Sequence, residues 1–155
     1  MNKVLQAAIE RARETMRANI GGPFGAAIID SDGNILSVSS NSVLRDKDPT
    51  AHAEMNAIRE ACKVINSYDL SGCVLYTTAY PCPMCLSAII WANIKKVYFG
   101  CRPYDAEKIG FRDDFIYRFI ENKCQDKSVM EMCELDRSEC LKLFQEYQAN
   151  NKTIY

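Results

Sequence analysis

Residues 73–100, CVLYTTAYPCPMCLSAIIWANIKKVYFG, constrain the fold more tightly than any other part of the chain. The β-branched and aromatic run CVLYTT reads as a strand, residues 82–92 as a helix, and KKVYFG as a second strand. A connection of this length that contains a helix is a crossover, and crossovers join parallel strands whose face the helix then covers. Upstream, Val4, Leu5, Ala8, Ile9, Ala12 and Met16 recur on one face of a helix over 3–18, which NIGG ends with glycines that tolerate positive φ. FGAAIID and NILSVSS flank SDG, the pattern of a β-hairpin. After a polar loop, AHAEMNAIREACKVI is periodic as a helix, with Pro49 and Thr50 as its start signals. The order helix, hairpin, helix, strand, helix, strand describes an α/β sheet covered by helices. Beyond residue 100 the pattern predicts short helices near 104–109 and 113–121, a strand at 129–135, and a helix at 138–148 with Cys140, Leu141, Phe144 and Tyr147 along one face.

At 155 residues, without an internal linker or repeat, the chain is expected to form one domain. Nineteen basic and 20 acidic side chains give a net charge of −1, no strong field for a phosphate backbone or an anionic membrane. Nucleic acid is therefore an unlikely main partner. Glu10, Arg11, Arg13 and Glu14 interrupt what would have to be the apolar core of a secretory signal, and the longest apolar stretch, Leu86 to Ile94, is too short to span a bilayer. The expectation is a cytoplasmic protein with no membrane partner. In that compartment Cys62, Cys73, Cys82, Cys85, Cys101, Cys124, Cys133 and Cys140 would be reduced thiols.

His52 is the only histidine, which removes every mechanism that needs two imidazoles. It lies two residues before Glu54 at the start of one predicted helix, and PCPMC opens the next. One imidazole and two thiolates, His52, Cys82 and Cys85, make three zinc ligands and leave a fourth tetrahedral position open for water, the mark of a catalytic rather than a structural site. Cys82 and Cys85, at i and i+3, share the face of a first helical turn, where unpaired N–H groups and the helix dipole favour thiolates. His52 and Glu54 are about 200° apart on a helix and can serve one site only from its first turn. Two thiolates and a neutral imidazole cancel the charge of zinc, so its water is less acidified than at a three-histidine site and a neighbouring base would help. Glu54, not needed as a ligand, fits that task. The alternative for CPMC is a redox dithiol, which has no use for the HAE element.

An H-x-E element followed by P-C-x-x-C is the pattern of zinc-dependent nucleobase deaminases. GGPFGAAI, DPTAHAEMNAI, PCPMCLSAIIWA and IGFRDDFIY together resemble the bacterial guanine deaminases of the cytidine deaminase-like fold, over nearly the whole chain. The resemblance implies a three-layer α/β/α sandwich with a mixed central sheet, one zinc per chain on His52, Cys82 and Cys85, and Glu54 shuttling protons while guanine is hydrolysed to xanthine and ammonia. It also implies base contacts from Asn41, Phe24, Trp91, the backbone near Ala53 and Cys82, and Asp113. Each has an alternative: a turn for Asn41, core packing for Phe24 and Trp91, helix capping for Asp113, with Asp114 as the neighbouring candidate.

Family resemblance further implies a homodimer with exchanged carboxyl-terminal segments, in which Tyr155 closes the partner's site; a polar tail such as QANNKTIY would otherwise be idle. Related deaminases carry glutamate immediately before PCPMC, where this chain has Tyr80. The same zinc constellation serves tRNA adenosine deaminases and cytosine-type small-base deaminases, and a zinc-stabilised interaction domain is the non-enzymatic alternative.

Overall fold

A computed structural model describes residues 2–151 and 153–155. The chain packs as two compact units, one ending at Phe115 and the other running from Ile116 to Tyr155. The first holds a four-stranded sheet in the order β2-β1-β3-β4, with β1 (Gly25–Ile29), β2 (Ile35–Ser40), β3 (Val74–Ala79) and β4 (Lys96–Cys101). β1 is antiparallel to both β2 and β3, whereas β3 and β4 are parallel. The sheet is therefore mixed, as expected, and its parallel pair is the one joined through α4 (Pro83–Trp91).

Alternation along β1 divides the layers. Gly25 faces α1 (Lys3–Arg17) so closely that an added Cβ would meet the Ala8 carbonyl oxygen at 2.0 Å. Ala26 and Ile28 point the other way, into a core with Ala53, Ala57 and Ala61 of α3 (Ala53–Ile65), Ile89 and Ala92 at α4, and Leu75 of β3. Three alanines spaced four apart let α3 lie close to the sheet, and their burial in water-free surroundings supplies the driving force. In α1 the Asn2 side chain accepts hydrogen bonds from the Val4 and Leu5 N–H groups, a cap that satisfies two of the helix's orphan donors.

Several local expectations are corrected. At the end of α1 the positive φ falls on Asn19 (55°), not on the glycines. Gly21 is instead required by close approach, since a Cβ there would lie 2.1 Å from the Asn41 carbonyl oxygen. The hairpin loop closes through the Asp30 carboxylate, which accepts from the N–H groups of Asp32 and Asn34, with Gly33 at φ 86°. The polar loop before α3 contains a short helix, α2 (Val43–Asp46). Thr50 is not the start of α3: its N–H and hydroxyl both donate to Asp48, and His52 is the N-cap.

α5 (Pro103–Lys108) and α6 (Asp114–Glu121) lie within a residue of their predicted bounds. The strand expected at 129–135 is absent; a turn at Asp126, whose carboxylate accepts from the Ser128 N–H and hydroxyl, leads into extended chain without a pairing partner. α7 (Arg137–Ala149) forms, but its expected apolar face is open, with Phe144 73% and Tyr147 42% exposed.

Substituting Gly25 by alanine should force α1 off the sheet and cost about 1–3 kcal/mol, the range for overpacking a filled core. Urea unfolding of Gly25→Ala against the parent chain measures it; an unchanged midpoint would refute the packing described.

Candidate metal centre and active site

α3 and α4 begin side by side on one face of the sheet, and each opens with a residue of extended backbone: His52 caps α3 and Cys82 caps α4. Neither side chain makes a capping hydrogen bond, which leaves the imidazole and the thiolate to point beyond the helix ends. His52 Nδ1 lies 3.5 Å from Cys82 Sγ and 3.6 Å from Cys85 Sγ, and the three ligand atoms all fall within 4.8 Å of one another. A tetrahedral centre with Zn–N of 2.0–2.1 Å and Zn–S of 2.3 Å sets its nitrogen and sulfur ligands about 3.6 Å apart. The residues present fit zinc. No fourth histidine, cysteine, aspartate or glutamate among the described residues joins the set, so one vertex stays free of protein.

The two sulfurs divide one proton between them. Cys82 is pulled down to about 4, first by the Cys85 thiol that donates to it and then by His52, against the cost of burial. Cys85 moves up because it is the donor to Cys82 and because it is buried beside Glu54. The Cys82 thiolate in turn raises His52. Such a thiolate already present before metal binding is a ready ligand.

Glu54 stands in the first turn of α3, 6% exposed, with Oε2 3.5 Å from Cys85 Sγ and Oε1 accepting from the Thr77 hydroxyl at 3.1 Å. Burial pushes its carboxyl upward, with the Cys82 charge adding to the effect. A carboxyl whose pKa burial raises, beside an open metal vertex, is suited to take and return a proton.

The remaining candidates divide. Asn41 is buried, and its Oδ1 accepts from the Gly22 and Val43 N–H groups, which orients the side chain and leaves its NH₂ without a protein partner among the described residues. Phe24 is half-buried and packs edge-to-face on Phe111, ring centroids 5.0 Å apart. Ala53 is fully buried between His52 and Glu54, and as the first residue of α3 its N–H has no intrahelical acceptor. Asp113 is half-buried, raised by desolvation and then by the Cys82 charge, whereas Asp114 begins α6 and pairs with Arg112 at 3.2 Å. Asp113 is thus the aspartate that feels the cluster.

Trp91 closes α4 at the end opposite Cys82, about 9 Å along the helix from Cys85, and is 76% exposed in the single chain. The helix's direction puts it there. Tyr155 belongs to the other compact unit and is 80% exposed. Tyr80 packs its ring edge-to-face on Phe99 of β4, centroids 5.0 Å apart. Thr77 escaped the sequence reading. It was signalled by position: Leu75 and Thr77 share the core-facing register of β3, and a hydroxyl there needs a buried partner.

Zinc-site geometry, the buried glutamate and the mixed sheet together define a deaminase, and the chain belongs to the family described as cytidine and deoxycytidylate deaminase zinc-binding region, which matches residues 1–101. Within that family it is a homologue of guanine deaminase. It is 47% identical to the guanine deaminase of Bacillus subtilis over 125 residues, 81% of this chain and 80% of that one. The X-ray structure of guanine deaminase from Bacillus subtilis superposes with a TM-score of 0.93 at 43% identity, covering 100% of this chain and 99% of the other. The tRNA-specific adenosine deaminase of Aquifex aeolicus is 51% identical, but over 90 residues, 57% of this chain and 59% of that one. No helix among the described residues is long and apolar enough to cross a membrane.

In the metal-free protein the Cys82 thiolate should persist down to about pH 4. Since the group is lowered, it is charged above that pH and protonated below it. Ultraviolet thiolate absorbance titrated from pH 10 to 3 should show a step near the acid end that is missing in Cys82→Ser; the absence of any such acid step in the parent chain would contradict the lowered Cys82.

Proposed function

We propose that the chain hydrolyses guanine to xanthine and ammonia. The observation that carries the deamination reading is the His52, Cys82 and Cys85 triangle with N···S separations of 3.5 and 3.6 Å and a buried, non-ligating Glu54 beside it. Guanine as the base is supported by the length of the match to the Bacillus subtilis guanine deaminase structure, which extends over both compact units, whereas a structure of tRNA:A34 deaminases covers 64% of this chain at a TM-score of 0.62. A net charge of −1 supports a small base over a tRNA stem.

His52, Cys82 and Cys85 would hold the metal, and zinc bound there supplies a Lewis acid that lowers the pKa of water at neutral pH. Glu54 takes a proton from the attacking water and returns it to the departing amino group, so that one water is consumed and one ammonia released. The Asn41 NH₂, fixed through its own Oδ1, donates to an acceptor on the base, and Asp113 accepts from a ring N–H or amino group. Phe24, braced by Phe111, lies against the purine face. First-turn N–H groups at Ala53 and near Cys82 favour developing negative charge.

The active form is a homodimer in which Tyr155 of one subunit closes the partner's pocket. The open apolar surface of α7 and of Trp91 supports association, because monomers rarely leave such groups in water. The cytoplasm is the proposed compartment, in keeping with eight unpaired cysteines.

Ammonia release from guanine, adenine, cytosine, cytidine and an anticodon hairpin tests the substrate; turnover of the hairpin alone would overturn it. Glu54→Gln should cut kcat about 10²- to 10⁴-fold while one zinc per chain remains by metal analysis. Removing the last residues through Tyr155 should lower turnover with zinc still bound, and unchanged kinetics would show the tail to be idle.

A further inference from the structure

Thr77 Oγ1 is 1% exposed and carries one hydrogen, yet two acceptors lie in reach: Glu54 Oε1 at 3.1 Å and the Ala79 carbonyl at 3.0 Å. It can donate to only one at a time. Ala79 ends β3 and leads through Tyr80 and Pro81 into Cys82. The hydroxyl therefore sits between the side chain proposed to move the proton and the backbone that carries a metal ligand. Strand register puts it there: Thr77 pairs with Ala26, whose face of the sheet receives α3.

We infer that Thr77 is a positioning residue for Glu54, holding Oε1 so that Oε2 alone is turned toward the Cys85 side of the cluster, and keeping the carboxyl hydrogen-bonded at every stage of turnover. This rests on the proposed role of Glu54. When Glu54 is a carboxylate, Thr77 donates to it. When Glu54 carries the proton, it is on Oε2, the oxygen turned toward the cluster, and Oε1 remains an acceptor for the same Thr77 hydrogen. Thr77 neither gains nor loses a proton, and no bond other than hydrogen bonds changes. A valine of the same shape would leave Oε1 buried without a donor and free to rotate.

In zinc-loaded enzyme, Thr77→Val should lower kcat about 10- to 100-fold, the scale of a lost hydrogen bond to a charged group, with KM within about twofold and one zinc per chain. Thr77→Ser should restore kcat to within about threefold of the parent. In a Glu54→Gln background, Thr77→Val should add little. A serine variant as impaired as valine, or an undiminished loss in the Glu54→Gln background, would overturn the assignment.

A joint X-ray and neutron structure of the zinc-loaded parent chain tests it where valine fails to fold. Expected is a deuteron on Thr77 Oγ1 aimed at Glu54 Oε1. A deuteron on Thr77 aimed at the Ala79 carbonyl, or one borne by Oε1, would refute it. That measurement needs no substrate, so it judges Thr77 even if the parent releases no ammonia from guanine, an outcome that would overturn the functional reading alone.

Discussion

The meeting of two helix N-termini over one face of the sheet is the constraint on which the site depends. His52 and Cys82 are both N-cap residues, and a cap has extended backbone, so its side chain leaves the helix along the axis and not from the flank. Only in that setting can His52 and Glu54, two residues apart, address the same few ångströms. The first-turn N–H groups add a field that favours thiolate at Cys82 and, in the proposed reaction, charge on the substrate. α3 and α4 are placed by their packing: the alanine row of α3 and Ile89 of α4 share one core with Ala26 and Ile28 of β1.

The electrostatics of the cluster follow from burial and proximity acting in opposite directions. Burial alone would neutralise every group. Cys82 escapes because Cys85 and His52 donate to it, and the proton it gives up is in effect the one Cys85 retains. Glu54 has a weaker compensation, its own backbone N–H and the Thr77 hydroxyl against the loss of water, so it moves upward. Cys82 and Glu54 thus stand in one cluster with opposite shifts, the separation of roles expected for acid–base work beside a Lewis acid.

Around this centre the chain spends its tighter packing on orientation. Gly21 lets the Asn41 backbone approach, and the Asn41 Oδ1 then ties Gly22 and Val43 together, so a loop is held by the same side chain that offers its NH₂ outward. Phe24 and Phe111 brace each other across a second loop. Tyr80, just before the ligand loop, makes an edge-to-face aromatic contact with Phe99 of β4.

The metal-site residues, the proposed proton carrier and the α/β alternation are legible in the chain because each depends on local chemistry: residue types at short spacing, period-2 and period-3.6 patterns, and helix starts. The limits of that reading are equally physical. The sequence puts Trp91 at the far end of α4 from Cys82 but does not say what covers that end, so its exposure was decided by packing. Residues 129–135 have the composition of a strand but no partner to pair with, and propensity alone cannot supply one. Thr77 is one threonine among several until the register of β3 on β1 turns it beneath Glu54. Asp113 and Asp114 are chemically equal in sequence, and the Arg112 ion pair tells them apart. Local pattern determined what the chain can bind and catalyse; contacts between residues distant in sequence decided which side chains stand close enough to take part.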